Sequence, residues 1–411
     1  DIAALGAGLL TAVAPLTVLH AQLFKEDIFL APWLILGLLA LDRLATTPEP
    51  RRALWFGIAV GLAVSAKYTG AILLPLSLLP PLWTGTGWPR YIRMATLAGA
   101  IAIAVFLIVN LPLFADPLAF ATGVRSELGH ALGGHLIVLY GWQSRFIFTW
   151  TANLWPGLTA PLATAGLLGA GIAAATWRQS PGVLRLLLVF GFAWYLLHEL
   201  PPMKPYPEGA RHMVVMAAVF AVFAAYAATR IAARLPRAFR GTAVAALILA
   251  VAVLPALVSY RLVHSAPNDT QLVARRIGAS LSEPAIWARP TTAEPSLELS
   301  KPLEEILRQP GFVIINELFA DQYVKSLSLS GQTPIKLKRA AAHEALMRRP
   351  ALRVTSTAGS FAFRNAPYRI VALSGDSHLL EQAAQAFAAV LDIALEVVPG
   401  EGAKAGAAVP R

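Results

Sequence analysis

Apolar runs dominate the first 260 residues, at about 3–22, 28–44, 53–66, 68–83, 94–112, 156–176, 183–199, 212–229 and 241–260. Several approach the roughly 20 residues that a helix needs to cross the hydrocarbon of a bilayer. The runs 53–66 and 68–83 are short, and read either as two tilted spans or as one broken element. Beyond residue 261 the pattern changes. The runs Phe312–Asn316, Arg353–Ser356 and Ile370–Leu373 are β-prone, His378–Leu391 has helical spacing, and Gly400–Arg411 reads as a disordered end. The expected fold class is therefore mainly α. A polytopic transmembrane helical bundle of about nine segments occupies 1–260, and a small α/β domain occupies 261–411.

Composition sharpens this division. Hydrophobic residues make up 56% of the chain and charged residues 14%, against about 25% charged in soluble domains. The first 260 residues hold 26 charged side chains, and the last 151 hold 31. The net charge of +11 raises nucleic acid as a partner, but its placement argues otherwise. With nine crossings, Arg43, Arg51, Arg52, Arg90, Arg93, Arg178, Arg185, Arg230, Arg234, Arg237 and Arg240 fall on one side. The other side holds Lys25, Lys67, Arg125, Arg145, Lys204 and Arg211. Excess basic residues mark the cytoplasmic loops, so the surplus charge orients helices and no nucleic-acid partner is expected.

The second set, the 113–146 loop, the 200–211 turn and everything after Arg261 then face outward, with Trp142, Trp150 and Trp155 suited to an interfacial aromatic belt. The chain has no cysteine, which excludes disulfides, thiol nucleophiles and thiolate metal sites. Asp1 stands in an apolar run without an initiator Met, and the true beginning of the protein is expected upstream.

Ionisable groups at membrane depth are costly unless paired, which makes them functional candidates. His20, Lys25, Glu26 and Asp27 crowd one short turn; Lys67 and Tyr68 separate two apolar runs; His198, Glu199, Lys204, Glu208, Arg211 and His212 occupy another turn. Asp116, Arg125, Glu127, His130 and His135 follow Asn110. Each has a plainer reading. Asp27 suits a helix cap before Ile28, Lys67 can snorkel to headgroups, and Arg211 and His212 suit a helix start. Glu199 can pair locally or end its helix. His130 and His135 are five apart, which matches neither a helical metal pair nor HExxH. Together, carboxylates near cations above a lipid-sized apolar volume suit moving a group off a lipid phosphate. A carboxylate would deprotonate the acceptor, and Lys, Arg or His would stabilise the departing phosphate. The same residue types also permit a transporter.

The segment His20-Ala-Gln-Leu-Phe-Lys-Glu-Asp27, followed by an apolar helix, resembles an outward turn of bacterial membrane glycosyltransferases of family 39. These have the GT-C fold and include relatives of protein O-mannosyltransferases and aminoarabinose transferases. Gly61-Leu62-Ala63 and Ala66-Lys67-Tyr68-Thr69 resemble the family's "GLA…TKY" segment. Asn110 to Pro117, then Glu127-Leu-Gly-His130 and Gly134-His135, resemble the next outward loop of one bacterial branch. Arg211-His212-Met-Val-Val-Met is similar to "RYLLPL", with His212 in place of Tyr. Asn268-Asp269-Thr270-Gln271 with Ala274 resembles "DTR…A", with Gln271 in place of Arg and a departure around Arg276.

The resemblance implies transfer of a sugar from a polyprenyl-phosphate donor to an acceptor on the outer face of the bacterial inner membrane, with inversion. It implies a main catalytic base in an outward loop before residue 1. Asp27, with Glu26, takes the place of the family's second acidic group. Lys67 and Arg211, then Lys204 and His212, are candidates for the donor phosphate. Tyr68, Glu127, His130 and His135 are acceptor or loop candidates. No cofactor is required, and a divalent cation (Mg or Mn) is optional. Partners are the bilayer, the lipid-linked donor, an acceptor that is a lipid, glycan or protein, and a membrane protein if the chain assembles with one. A non-catalytic GT-C-like membrane subunit that serves as an assembly or lipid-binding scaffold is the alternative, and a transporter the third reading.

Overall fold

The computed structural model describes residues 2–23, 26–133, 138–139, 147–200, 203–204, 208–264, 270–281, 285–287, 311–317, 320, 334–356, 368–373, 378–386 and 393–398. They fall into two compact units. One comprises Asp1–Gly133, Gln143–Pro201 and Gly209–Ser259, and the other Gly134–Trp142, Pro202–Glu208 and Tyr260–Arg411.

The first unit is helical. Its main elements are α1 (Ile2–Val13), α2 (Pro15–Leu23), α3 (Glu26–Thr46), α4 (Pro50–Ala66), α5 (Trp88–Val109), α6 (Pro117–Gly133), α7 (Ala160–Ala175), α8 (Gly182–Glu199), α9 (Val214–Ala232) and most of α10 (Arg237–His264). By length and composition α3, α5, α8, α10 and the stretch Ala210–Ala232 can each cross a membrane. Two bent pairs raise the number to seven: α1 with α2 at 56°, and Thr149–Leu158 with α7 at 109°. The second bend turns on Thr159, whose φ of 67° is unusual for a β-branched residue.

Of the two short runs, 53–66 lies within a single helix, α4, whereas 68–83 is the broken element. It comprises a 3₁₀ turn at Tyr68–Ile72 and two single turns at Leu73–Leu76 and Pro81–Thr84. Pro75, Pro80 and Pro81 remove the amide donors that a continuous helix needs. Residues 117–133 of the expected 113–146 loop are helical, because Pro117 suits a first helical position and Asp116 Oδ1 accepts the Ala119 amide at 2.8 Å. α6 is the result.

Close helix packing explains the small residues of α4. A Cβ on Gly57 would lie 2.5 Å from the Ala98 carbonyl oxygen, and one on Gly61 would lie 2.7 Å from that of Ala102. This four-residue glycine spacing lets α4 and α5 touch backbone to backbone, a device common where lipid removes the hydrophobic drive for association.

The second unit contains a two-stranded ladder, β1 (Val138–Leu139) with β2 (Met203–Lys204), and a five-stranded sheet. The sheet comprises β3 (Ala285–Trp287), β4 (Phe312–Asn316), β5 (Ala351–Ser356), β6 (Tyr368–Ala372) and β7 (Ile393–Val398), in the order β3-β4-β6-β5-β7. Only β3 and β4 run parallel. Helices α11 (Thr270–Ser280), α12 (Pro334–Met347) and α13 (His378–Ala386) accompany it.

Side chains alternate across a strand, so β4 feeds two cores. Phe312 and Ile314 join Val273, Ile277, Leu352, Ile370 and Leu380 on one face. Val313 and Ile315 join Ala342, Leu346, Ala351 and Val371 on the other. Burial on both faces is why β4 reads as an unbroken apolar run. The three β-prone segments are strands, two of them beginning two residues earlier than the sequence pattern suggests. Gly400–Arg411 lies outside the described residues.

Candidate active site

Lys67 ends α4 with an extended backbone (φ −164°, ψ 137°), and the 3₁₀ turn then folds back on the last turn of the helix. Gly70 makes that fold-back possible, because a Cβ there would lie 2.5 Å from the backbone carbon of Ala63. The turn leaves the Lys67 side chain directed at the start of α3. There Asp27 occupies the first helical turn, where the helix dipole favours a carboxylate. A second 3₁₀ turn, Glu208–Met213, delivers Arg211 and His212 just before α9. Thus the ends of α3, α4, α8 and α9 converge within the first unit.

The centre of the cluster is Asp27, which is 3% exposed. Lys67 Nζ donates to Asp27 Oδ1 at 2.6 Å and lies 2.9 Å from His212 Nδ1. An ammonium has donors only, so His212 Nδ1 accepts and its Nε2 carries the proton. The 3.3 Å approach of His212 Nδ1 to Asp27 Oδ1 is two acceptors sharing one ammonium. Arg211 Nε stands 3.8 Å from Asp27 Oδ2. Glu26, more exposed, lies 3.8 Å from both Lys67 and Arg211. Burial pushes the Lys67 ammonium below the ordinary lysine range, while Asp27 pulls it back up.

Aromatic packing fixes the histidine. The His212 ring stacks on His198 at 5.4 Å, His198 lies 4.9 Å from Trp194, and Trp194 Nε1 donates to the His212 carbonyl at 2.8 Å. Glu199, fully buried, accepts the amides of Phe148 and Thr149 at 3.0 and 2.7 Å. It therefore anchors the π-helical turn Thr149–Leu154 to the end of α8.

Of the residues singled out in the sequence, Glu26, Asp27, Lys67, Arg211 and His212 come together. Asp27 does more than cap, since its Oδ1 takes a lysine 40 residues away. Lys67 is engaged by Asp27. It is turned inward, with its side chain 19% exposed. Tyr68 is half exposed beside it. Lys204 lies on β2 in the second unit. The side chains of Lys204, Glu127 and His130 lie outside the described residues, as does His135. The positioning roles of Trp194, His198 and Glu199 were not legible beforehand, although Trp194 and His198 stand four apart on one helical face.

The carboxylate at the centre of the cluster is already charge-compensated. Asp27 already faces the Lys67 ammonium and the Arg211 guanidinium. Among the described residues no group of three or more His, Asp and Glu side chains could hold a metal ion. Two fixed cations around one carboxylate instead offer an anion site with its own counter-charge.

Residues 1–112 match the family model of dolichyl-phosphate-mannose-protein mannosyltransferases. That segment is therefore similar to the membrane glycosyltransferases of the GT-C type. No curated protein and no solved structure gives a match. The matched segment contains Asp27 and Lys67, so the central ion pair lies within it.

Proposed function

We propose that the protein transfers a sugar from a polyprenyl-phosphate-linked donor to an acceptor at the outer face of a bacterial inner membrane, inverting the anomeric carbon. The observation that carries this reading is the Asp27–Lys67–Arg211 cluster at converging helix ends, with its central pair inside the segment that matches the mannosyltransferase family. Lys67 and Arg211 bind the donor phosphate, and His212 offers its Nε2–H beside them. Asp27 holds both cations in place, so their geometry is set before the donor arrives. The acceptor oxygen attacks the anomeric carbon from the face opposite the phosphate. The bond from carbon to phosphate oxygen breaks, and polyprenyl phosphate leaves with the electron pair. The proton of the acceptor passes to a carboxylate. Glu26 is the more exposed of the two carboxylates at the site. Preorganised positive charge stabilises the phosphate as its charge grows.

The outer-face assignment rests on arginine placement. Arg43, Arg51, Arg52, Arg185 and Arg230 lie at or near the ends of α3, α4, α8 and α9 opposite to those that supply the cluster. With those arginines cytoplasmic, residues 261–411 are extracytoplasmic. No metal is required in this reading.

The test is donor cleavage and donor binding by the purified full chain in lipid nanodiscs. Neutralising Lys67 or Arg211 should slow cleavage and weaken donor binding by at least about tenfold, which is 1.4 kcal/mol. Normal affinity and turnover in both variants would remove the cluster from the reaction.

A further inference from the structure

His20 is 2% exposed, and neither ring nitrogen has a hydrogen-bond partner among the described residues. It belongs to α2, which ends just before the start of α3, and lies within electrostatic reach of Asp27, Arg211 and His212. Three further buried atoms are also without hydrogen bonds among the described residues: Thr17 Oγ1, one turn back on the same face of α2, and Asp27 Oδ2 and Arg211 Nε, which face each other at 3.8 Å in the cluster. Buried polar groups in native proteins are nearly always satisfied, so a concentration of orphans marks a place that something polar fills.

The chemistry of the orphans says what kind of group that is. A carboxylate oxygen only accepts, a guanidinium only donates, a neutral imidazole has one donor and one acceptor, and a threonine hydroxyl can do either. A phosphate, which only accepts when ionised, would be repelled by Asp27 Oδ2 and by the bare imidazole nitrogen. A lipid chain would leave every orphan unsatisfied. A hydroxyl, which both donates and accepts, suits the mixed set. We propose that His20, with Thr17 Oγ1, Asp27 Oδ2 and Arg211 Nε, forms a subsite for a hydroxyl of the donor's sugar. This rests on the glycosyltransferase reading above. The sugar is joined directly to the phosphate held by Lys67 and Arg211, and Asp27 links the two places: its Oδ1 holds the lysine and its Oδ2 faces the arginine. His20 is thus a sugar-recognition residue, separate from the cations that bind the lipid phosphate.

The experiment compares two kinds of ligand on the full chain in nanodiscs: a polyprenyl phosphate without sugar, and the same lipid bearing mannose, glucose or galactose. The wild type should prefer at least one sugar-bearing lipid by about tenfold, a difference of about 1.4 kcal/mol. His20→Leu should lose most of that preference while binding the bare lipid normally. His20→Asn, which keeps a donor and an acceptor, should restore part of it. Lys67→Gln should weaken both kinds of ligand alike. Without ligand, His20→Leu should melt no lower than the wild type, because replacing an unsatisfied buried polar group by an apolar one carries no penalty. An undiminished preference in His20→Leu overturns the proposal. So does a wild type that prefers no sugar, or a marked fall in the melting temperature of unliganded His20→Leu. Failure of the wild type to bind either kind of lipid overturns the glycosyltransferase reading itself.

Discussion

Each unit of the molecule is built around one buried carboxylate with cations on it, and the two clusters differ in how completely they are satisfied. In the second unit Glu317 follows β4 and receives Arg353 in a fork: Nε at 2.9 and 3.1 Å and a terminal nitrogen at 2.9 Å. Arg369 Nε adds a bond of 2.6 Å, and Arg369 also donates to the Met347 carbonyl at 3.0 Å. Both oxygens are saturated, and Glu317 raises the Arg353 guanidinium further above its ordinary range. In the first unit Asp27 Oδ1 accepts from Lys67, whereas Asp27 Oδ2 faces Arg211 Nε at 3.8 Å with no hydrogen bond to either atom among the described residues. The same charges therefore serve different ends. A closed set locks a sheet together, whereas the open set is the one proposed to bind the donor.

Removing Glu317 gives the largest expected effect. Glu317→Ala leaves Arg353 and Arg369, direct partners across β5 and β6, facing each other with only Glu396, 3.6 Å from Arg353, to offset them. Breaking a pair of this kind should cost the second unit about 3 kcal/mol, read as a lower denaturation midpoint of its sheet. An unchanged midpoint would end the assignment of this cluster to structure. Asp27→Asn comes next. It removes the charge that holds Lys67 and Arg211, and should lower turnover about a hundredfold, or 2.7 kcal/mol, in a chain that still assembles as helices. Full turnover in that variant would make the two clusters equivalent.

Lys67→Gln and Arg211→Gln should each cost turnover about tenfold, or 1.4 kcal/mol, with donor affinity falling in parallel. A loss confined to stability would move them into the structural class. The smallest effect sharpens the contrast from the other side. Replacing Glu317, Arg353 and Arg369 together by Leu, Met and Met should change stability by only about 1 kcal/mol in either direction, because well-packed apolar groups can replace a buried ion triad. The matching triple replacement of Asp27, Lys67 and Arg211 should abolish turnover. Treatment with EDTA should leave turnover unchanged, since the positive charge at the site is covalently part of the chain.

Much of this was legible in the sequence because it depends on local pattern. Apolar runs near bilayer length, with arginines at alternate ends, place the helices. The unbroken Phe312–Asn316 run gives a strand buried on both faces. Proline spacing explains why 68–83 breaks. Asp27, Lys67, Arg211 and His212 stood out because ionisable groups are costly beside a membrane. The pairing pattern was not legible. Asp27 meets Lys67 across 40 residues, His212 meets Lys67 across 145, and His212 meets Asp27 across 185. Nor was the role of Glu199, whose partners Phe148 and Thr149 offer only backbone amides. A backbone donor carries no residue-type signal.

The sequence by itself determined which segments are apolar, where prolines and glycines interrupt them, and which few charged groups must find partners, because these follow from side-chain chemistry read one residue at a time. Only the tertiary structure decided which partners they find. That choice depends on which helix ends meet, and on the close approach that Gly57, Gly61 and Gly70 permit. The same packing saturates Glu317 and leaves Asp27, Arg211 and His20 with unused hydrogen-bonding capacity.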